Sequence, residues 1–116
     1  MDSFSFKAVE EVIFSRGAAL DLSDYCLRLG MTRPIFVTDP GLVQIGLVSP
    51  VFEKLESVAL EPQLFDQVKE DPPEETVCDG LEFARKTGVN GVIGFGGGSS
   101  MDVAKVIAVL LGGDQA

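Results

Sequence analysis

Basic side chains are scarce in this sequence: nine Lys and Arg stand against eighteen Asp and Glu, for a formal net charge of −9. No basic stripe exists to neutralise the phosphates of a nucleic acid or to meet an anionic membrane, so neither is expected as a partner. Cysteine is nearly absent. Cys26 and Cys78 are the two, without CxxC spacing, which excludes a disulfide framework and a zinc ribbon and reads as two buried free thiols. Long apolar runs are missing as well: the longest, Val106–Leu111, is far short of a membrane span, and the start "MDSFSFKAVEE" has acids where a signal peptide has its apolar stretch. A soluble, cytoplasmic protein is the expectation. No internal repeat or low-complexity linker divides the 116 residues, which suit one domain or a piece of one.

What is present is a composition fit for a packed core, 46% hydrophobic and 23% charged, and an alternation of apolar patterns. Phe4, Phe6 and Ala8 alternate with polar neighbours and Val12-Ile13-Phe14 is a short apolar run, together predicting two short strands or a hairpin. The spacing of Leu20, Leu22, Tyr25, Cys26, Leu27 and Leu29 predicts a helix from about Ala18 to Leu29, closed by Gly30. A strand follows at Pro34–Thr38. Asp39-Pro40 and Ser49-Pro50 each read as a helix N-cap followed by proline at the first helical position. "PQLFDQV" holds a short strand. Asp71-Pro72-Pro73-Glu74 resembles a capped start for a helix through Lys86, with Val77, Leu81 and Ala84 on one face and Gly88 ending it. "GVNGVIGF" is the next strand. "SMDVAKVIAVLL" reads as a helix whose second half is apolar all round and therefore buried, although Val106–Leu111 alone also suits a strand.

Strands alternating with helices predict an α/β fold: a Rossmann-like parallel sheet with helices on both faces. Such a sheet binds ligands beyond the carboxyl ends of its strands. The loops Thr38–Gly41 and Gly94–Ser99 both follow strands, so right-handed crossovers place them on one edge, where one ligand touches both.

The stretch "GVIGFGGGSSMDVAK", Gly91 to Lys105, carries five glycines. Each costs roughly 0.5–1 kcal/mol of folding entropy relative to alanine, so three in a row, Gly96, Gly97 and Gly98, need a reason. A P-loop requires Lys before the Ser that follows its last glycine, and none is placed there. The GxGxxG fingerprint begins at Gly94-Phe95-Gly96 but meets Ser99 where its third glycine belongs. What remains is a strand, a bare turn and a helix N-terminus, a combination suited to a pyrophosphate. Beside it stands a structural alternative: Ser99 to Asp102 is a capping-box spacing, with Lys105 three residues on from Asp102 as an ion-pair partner. Asp39, likewise, reads either as a plain N-cap or as a ligand-facing acid at a strand end.

"VIGF" followed by "GGGSSMDVAK" resembles the GGGSxxDxAK signature of the iron-containing (group III) alcohol dehydrogenase family, and "VTDPGL" at 37–42 resembles that family's second strand end. The resemblance runs from the N-terminal strands to Gly113 and covers several separated motifs in order. It implies an N-terminal nucleotide-binding domain of an enzyme that moves hydride between a small alcohol or aldehyde and NAD, with a helical C-terminal domain holding Fe²⁺ or Zn²⁺. By that resemblance Gly97, Gly98 and Ser99 match positions that hold the cofactor pyrophosphate, with Gly96 opening the loop. Asp39 matches the acid facing the adenosine ribose, and Asp102 the signature acid near the nicotinamide end. Asp71 stands where many relatives have Asn before Pro beside the cofactor, a departure that removes an amide donor.

The family's metal site uses one Asp and three His from later in the chain, and this sequence has no His. The chain thus resembles about the first third of such an enzyme, residues 1–116 being the N-terminal part of the dinucleotide-binding domain, with no catalytic or metal-ligating residue of its own. Alone it is expected to be inactive and marginally stable, and an apolar patch left on its last helix favours a homo-oligomer. Two alternatives stand beside this reading: a non-catalytic nucleotide-binding or assembly module, and a lyase-type relative that uses NAD transiently, which the context of Lys105 disfavours.

Overall fold

A computed structural model describes residues 11–13, 22–69 and 74–113. Among these residues, four strands and five helices follow in the order β1 (Glu11–Ile13), α1 (Leu22–Leu29), β2 (Pro34–Val37), α2 (Pro40–Gln44), α3 (Val48–Ser57), β3 (Gln63–Phe65), α4 (Glu74–Thr87), β4 (Gly91–Gly94) and α5 (Gly98–Gly113). The strands form one sheet in the order β1-β4-β2-β3, and every pairing is parallel. The expected parallel α/β sheet is therefore what the chain builds. The strand expected around Phe4–Ala8, the first residues of α1 before Leu22, and Asp71 with its prolines lie outside the described residues.

All four residues of β2 and of β4 are buried, because helices cover both faces of the sheet. Alternation along the strands divides the core in two. Phe36 and Ile93 point to the α1 and α3 side, where they meet Leu22, Cys26, Val51 and Leu55. Ile35, Val37 and Val92 point the other way, against Ala84 of α4 and Val103, Ala104 and Ile107 of α5. Burial pushes the Cys26 thiol up to about 11, so at neutral pH it is an inert apolar group. Cys78 is exposed on α4, contrary to the expectation that both thiols are buried, since α4 turns only its Val77, Leu81 and Ala84 side to the sheet.

Two further expectations change. Helix α3 starts at Val48 with Leu47 at the cap position and no side-chain cap, so Ser49 and Pro50 sit inside its first turn. Proline is tolerated there because the first N–H groups of a helix have no partner within it. Helix α5 is a helix throughout, as expected, but only one side is buried: Ile107 and Leu111 face the core while Val106, Val109 and Leu110 are exposed, Val109 at 70%. Among the described residues no helix is long and apolar enough to cross a membrane.

Helices α1, α2, α3 and α4 close in the same manner, the residue after the cap bonding back three positions and the next bonding back five, the Schellman pattern. The left-handed residue is Gly30, Gly46 or Gly88 in three of them, and Ala59, at φ 68°, in the fourth. A β-carbon in that region costs roughly 1–2 kcal/mol, against roughly 0.5–1 kcal/mol for the extra entropy of glycine. Ala59→Gly is expected to raise stability by about 0.5–1 kcal/mol, read as a higher urea midpoint; an unchanged or lower midpoint contradicts this account of the α3 terminus.

Candidate functional site

The strand order places a crevice at one defined point. β2 and β4 are neighbours, yet the helices that follow them, α3 and α5, pack on opposite faces of the sheet. The chain leaves the two strands in opposite directions and the gap between their carboxyl ends stays open, the topological switch point at which open parallel sheets bind ligands. A cleft of about 500 Å³ lies there, within the roughly 300–1,000 Å³ usual for small-molecule sites.

Three strand ends supply its walls. After β2 come Asp39, Pro40 and Gly41; after β4, Gly97, Gly98, Ser99 and Ser100; after β3, Val68 and Lys69. Asp39 is the N-cap of α2, its Oδ1 accepting from the Leu42 N–H at 2.9 Å with Pro40 at the first helical position, as the sequence predicts. Capping uses one carboxylate oxygen and leaves the half-buried side chain on the cleft wall. The cap and ligand-facing roles of Asp39 are thus compatible.

The three consecutive glycines divide by cause. Gly96 has φ +140°, and a β-carbon on it would meet Leu42, Asp39 and Ser100 atoms at 3.1–3.2 Å, so the fold itself requires glycine there. Gly97 and Gly98 have no such reason: a β-carbon on either would meet nothing within 4 Å. Their bareness faces open cleft.

Helix α5 begins at Gly98, and its first helical hydrogen bond runs from the Met101 N–H to the Gly97 carbonyl at 3.1 Å. Gly97 is therefore the N-cap. The N–H groups of Gly98, Ser99 and Ser100 have no acceptor within the helix and lie where its partial positive charge is concentrated. This overturns the capping-box alternative, since Ser99 sits two residues inside the cap position and Asp102 beyond the third helical residue. Among the described residues no ion pair joins Asp102 to Lys105. Asp102 is exposed and is not part of the cleft lining.

Sequence reasoning missed Ser100, Val68 and Lys69. Ser100 is 1% exposed with its Oγ beside Gly96. Val68 and Lys69 follow the strand in "PQLFDQV", and a position just past a parallel strand's carboxyl end was the available signal. Lys69 is the one basic residue on the described lining, opposite the Asp39 carboxylate in charge. Another depression, of about 710 Å³, is lined among the described residues by α4 alone, from Cys78 to Lys86, and so brings no two elements together. No three His, Cys, Asp or Glu among the described residues are grouped to hold a metal ion.

The sequence model described as iron-containing alcohol dehydrogenase matches residues 10–116, and the chain belongs to that family. It is 40% identical over 93 residues to the choline dehydrogenase of Bacillus subtilis (strain 168), covering 80% of this chain and 23% of that protein. Among solved structures it is similar to the NADH-dependent butanol dehydrogenase A of Thermotoga maritima, with TM-score 0.74 and 26% identity over 89% of this chain and 26% of that one. The sulfoacetaldehyde reductase of Bifidobacterium kashiwanohense, solved in complex with NAD⁺, gives TM-score 0.72 and 25% identity over 86% of this chain and 26% of that one. The chain spans about a quarter of the length of these relatives.

Proposed function

We propose that the cleft holds NAD(H), and that the chain is the cofactor-holding part of a metal-dependent dehydrogenase acting on a small alcohol or aldehyde. The observation that carries this reading is the pair Gly97 and Gly98, where an added β-carbon would meet nothing within 4 Å, at the start of a helix facing the switch-point cleft. Peptide N–H groups and a helix N-terminus suit a diphosphate, and glycine lets it approach the main chain. In a chain with net charge −9, backbone donors are the available anion ligands apart from a cation such as Lys69. A relative named as NADH-dependent and another solved with NAD⁺ support the same ligand.

In this reading the N–H groups of Gly98, Ser99 and Ser100 hold the diphosphate, Lys69 offsets part of its charge, and the Asp39 carboxylate accepts from adenosine ribose hydroxyls. The bound nicotinamide ring supplies the hydride acceptor or donor. Residues 1–116 form the N-terminal part of the dinucleotide-binding domain, and a second, helical domain contributes the metal and most of the substrate pocket. Titration of the purified chain with NADH, followed by its fluorescence, tests the reading; absence of saturable binding refutes it for this chain.

A carboxylate facing the ribose favours NAD(H) over NADP(H), because a 2′-phosphate would bring like charge against Asp39. Two unit charges about 4 Å apart repel by roughly 4 kcal/mol at an effective dielectric near 20, and water in the open cleft lowers that figure. Asp39→Gly is the informative variant, since glycine at an N-cap costs only a few tenths of a kcal/mol. It is expected to shift the NADPH/NADH affinity ratio at least about tenfold toward NADPH, or about 1.4 kcal/mol. Equal wild-type affinity for the two would leave Asp39 a helix cap only.

A further inference from the structure

One buried residue touches all three strand ends that line the cleft. Thr38 is 0% exposed, and each of its polar groups is used. Its N–H donates to the Phe65 carbonyl of β3 at 2.9 Å, its carbonyl accepts from the Val68 N–H at 3.3 Å, and its Oγ1 donates to the Phe95 carbonyl at 2.7 Å. The Phe95 N–H in turn donates to the Val37 carbonyl at 2.9 Å. Both main-chain polar groups of Phe95 are therefore held by residues 37 and 38.

The third of these bonds is the informative one. The other two are main-chain bonds that any residue at 38 except proline makes, whereas the Oγ1 bond needs a hydroxyl. It holds the carbonyl of the peptide unit that leads into Gly96, and because that unit is planar and trans, a fixed carbonyl fixes the Gly96 N–H as well. Gly96 then turns at φ +140°, wedged against Leu42, Asp39 and Ser100, and the unsupported pair Gly97 and Gly98 follows. Past Phe95, among the described residues, no side-chain hydrogen bond restrains this loop before α5 begins. A loop of small residues with open space beside it is held in one shape by its entry point, and a site of peptide N–H groups binds well only where those groups are already aimed.

We propose that Thr38 is a positioning residue for the dinucleotide: its hydroxyl sets the Phe95–Gly96 peptide and with it the Gly97–Ser100 cradle, while its main chain ties that cradle to Asp39 and Lys69. The proposal rests on the dinucleotide reading above. Thr38→Val keeps the shape of the side chain and deletes the donor. NADH affinity is expected to fall about tenfold, and amide hydrogen exchange without ligand to quicken at residues 96–99 while the sheet amides of Ile35, Phe36 and Ile93 keep wild-type protection. Thr38→Ser, which restores the hydroxyl without the methyl, is expected to return both readouts toward wild type, a rescue that a packing role would not give. Should the valine variant fail to fold, Thr38→Cys, with a weaker donor of similar size, is expected to lower NADH affinity by less than tenfold and to quicken exchange at 96–99, and wild-type values for both overturn the proposal. Unchanged exchange at 96–99 and unchanged NADH affinity in Thr38→Val overturn the proposal, as does a serine variant no better than valine. A wild-type chain that binds no NADH refutes the dinucleotide reading instead, and the ligand-free exchange then still decides whether Thr38 holds the loop.

Discussion

Gly97→Val is expected to abolish most NADH binding while leaving the fold intact. Its β-carbon would meet no atom within 4 Å beyond its chain neighbours, so the fold has room for it on the cleft side. The N–H groups of α5 would still be present, but a diphosphate would be held off them by roughly a methyl's thickness. Loss of two such charge-assisted contacts at about 1.5–3 kcal/mol each amounts to two orders of magnitude or more in affinity. Gly96→Ala is the control: φ +140° and neighbours at 3.1–3.2 Å make it costly to the fold, by about 1–3 kcal/mol. NADH titration and urea unfolding of the two variants should therefore separate. Wild-type NADH affinity in Gly97→Val would remove the loop from the site, whatever else binds there.

That separation marks what the sequence could and could not convey. The parallel sheet was legible because β2 and β4 are continuous apolar runs followed by turn residues, and Asp39-Pro40 announced its cap by residue type alone. The three glycines were legible as a group but not individually, since only coordinates distinguish Gly96, which fits between three side chains, from Gly97 and Gly98, which face open space. The spacing of Ser99 to Asp102 also matches a capping box, but the cap lies two residues earlier, on Gly97, where residue type gives no start signal. Thr38 stands at a legible strand end, but its bond to Phe95 is invisible in a one-dimensional reading, for the two lie 57 positions apart. Likewise α5 looked buried from its composition, yet burial depends on what stands opposite, and Val109 has nothing over it among the described residues.

The second large effect is on stability. Phe36 is fully buried in β2, meeting Phe52 edge-on at a centroid distance of 5.9 Å and Phe95 at 5.3 Å. Truncation to alanine removes both contacts and leaves a cavity under α3, at a cost of about 3–5 kcal/mol. Domains of this size have about 5–15 kcal/mol in total, so Phe36→Ala is expected to lower the thermal midpoint by more than about 10 °C. The damage should also reach the cleft, because Phe95 leads directly into the glycine loop. A change below about 1 kcal/mol in urea unfolding would mean that the two aromatic neighbours close over the gap, and that this half of the core is softer than its burial indicates.

The bare pair at the start of α5 also bears on how such a site responds to its surroundings and to sequence drift. Peptide N–H groups do not ionise in the range where proteins stay folded, so on the dinucleotide reading the main-chain part of the diphosphate grip is the same at pH 5 as at pH 9. Nor can a point substitution delete a peptide N–H, proline excepted. A site made of arginines disappears when its arginines do; this one fails only by addition, when a side chain grows into the space beside Gly97 or Gly98. Drift elsewhere on the acidic surface is free to proceed, while at these two positions selection has only size to act on.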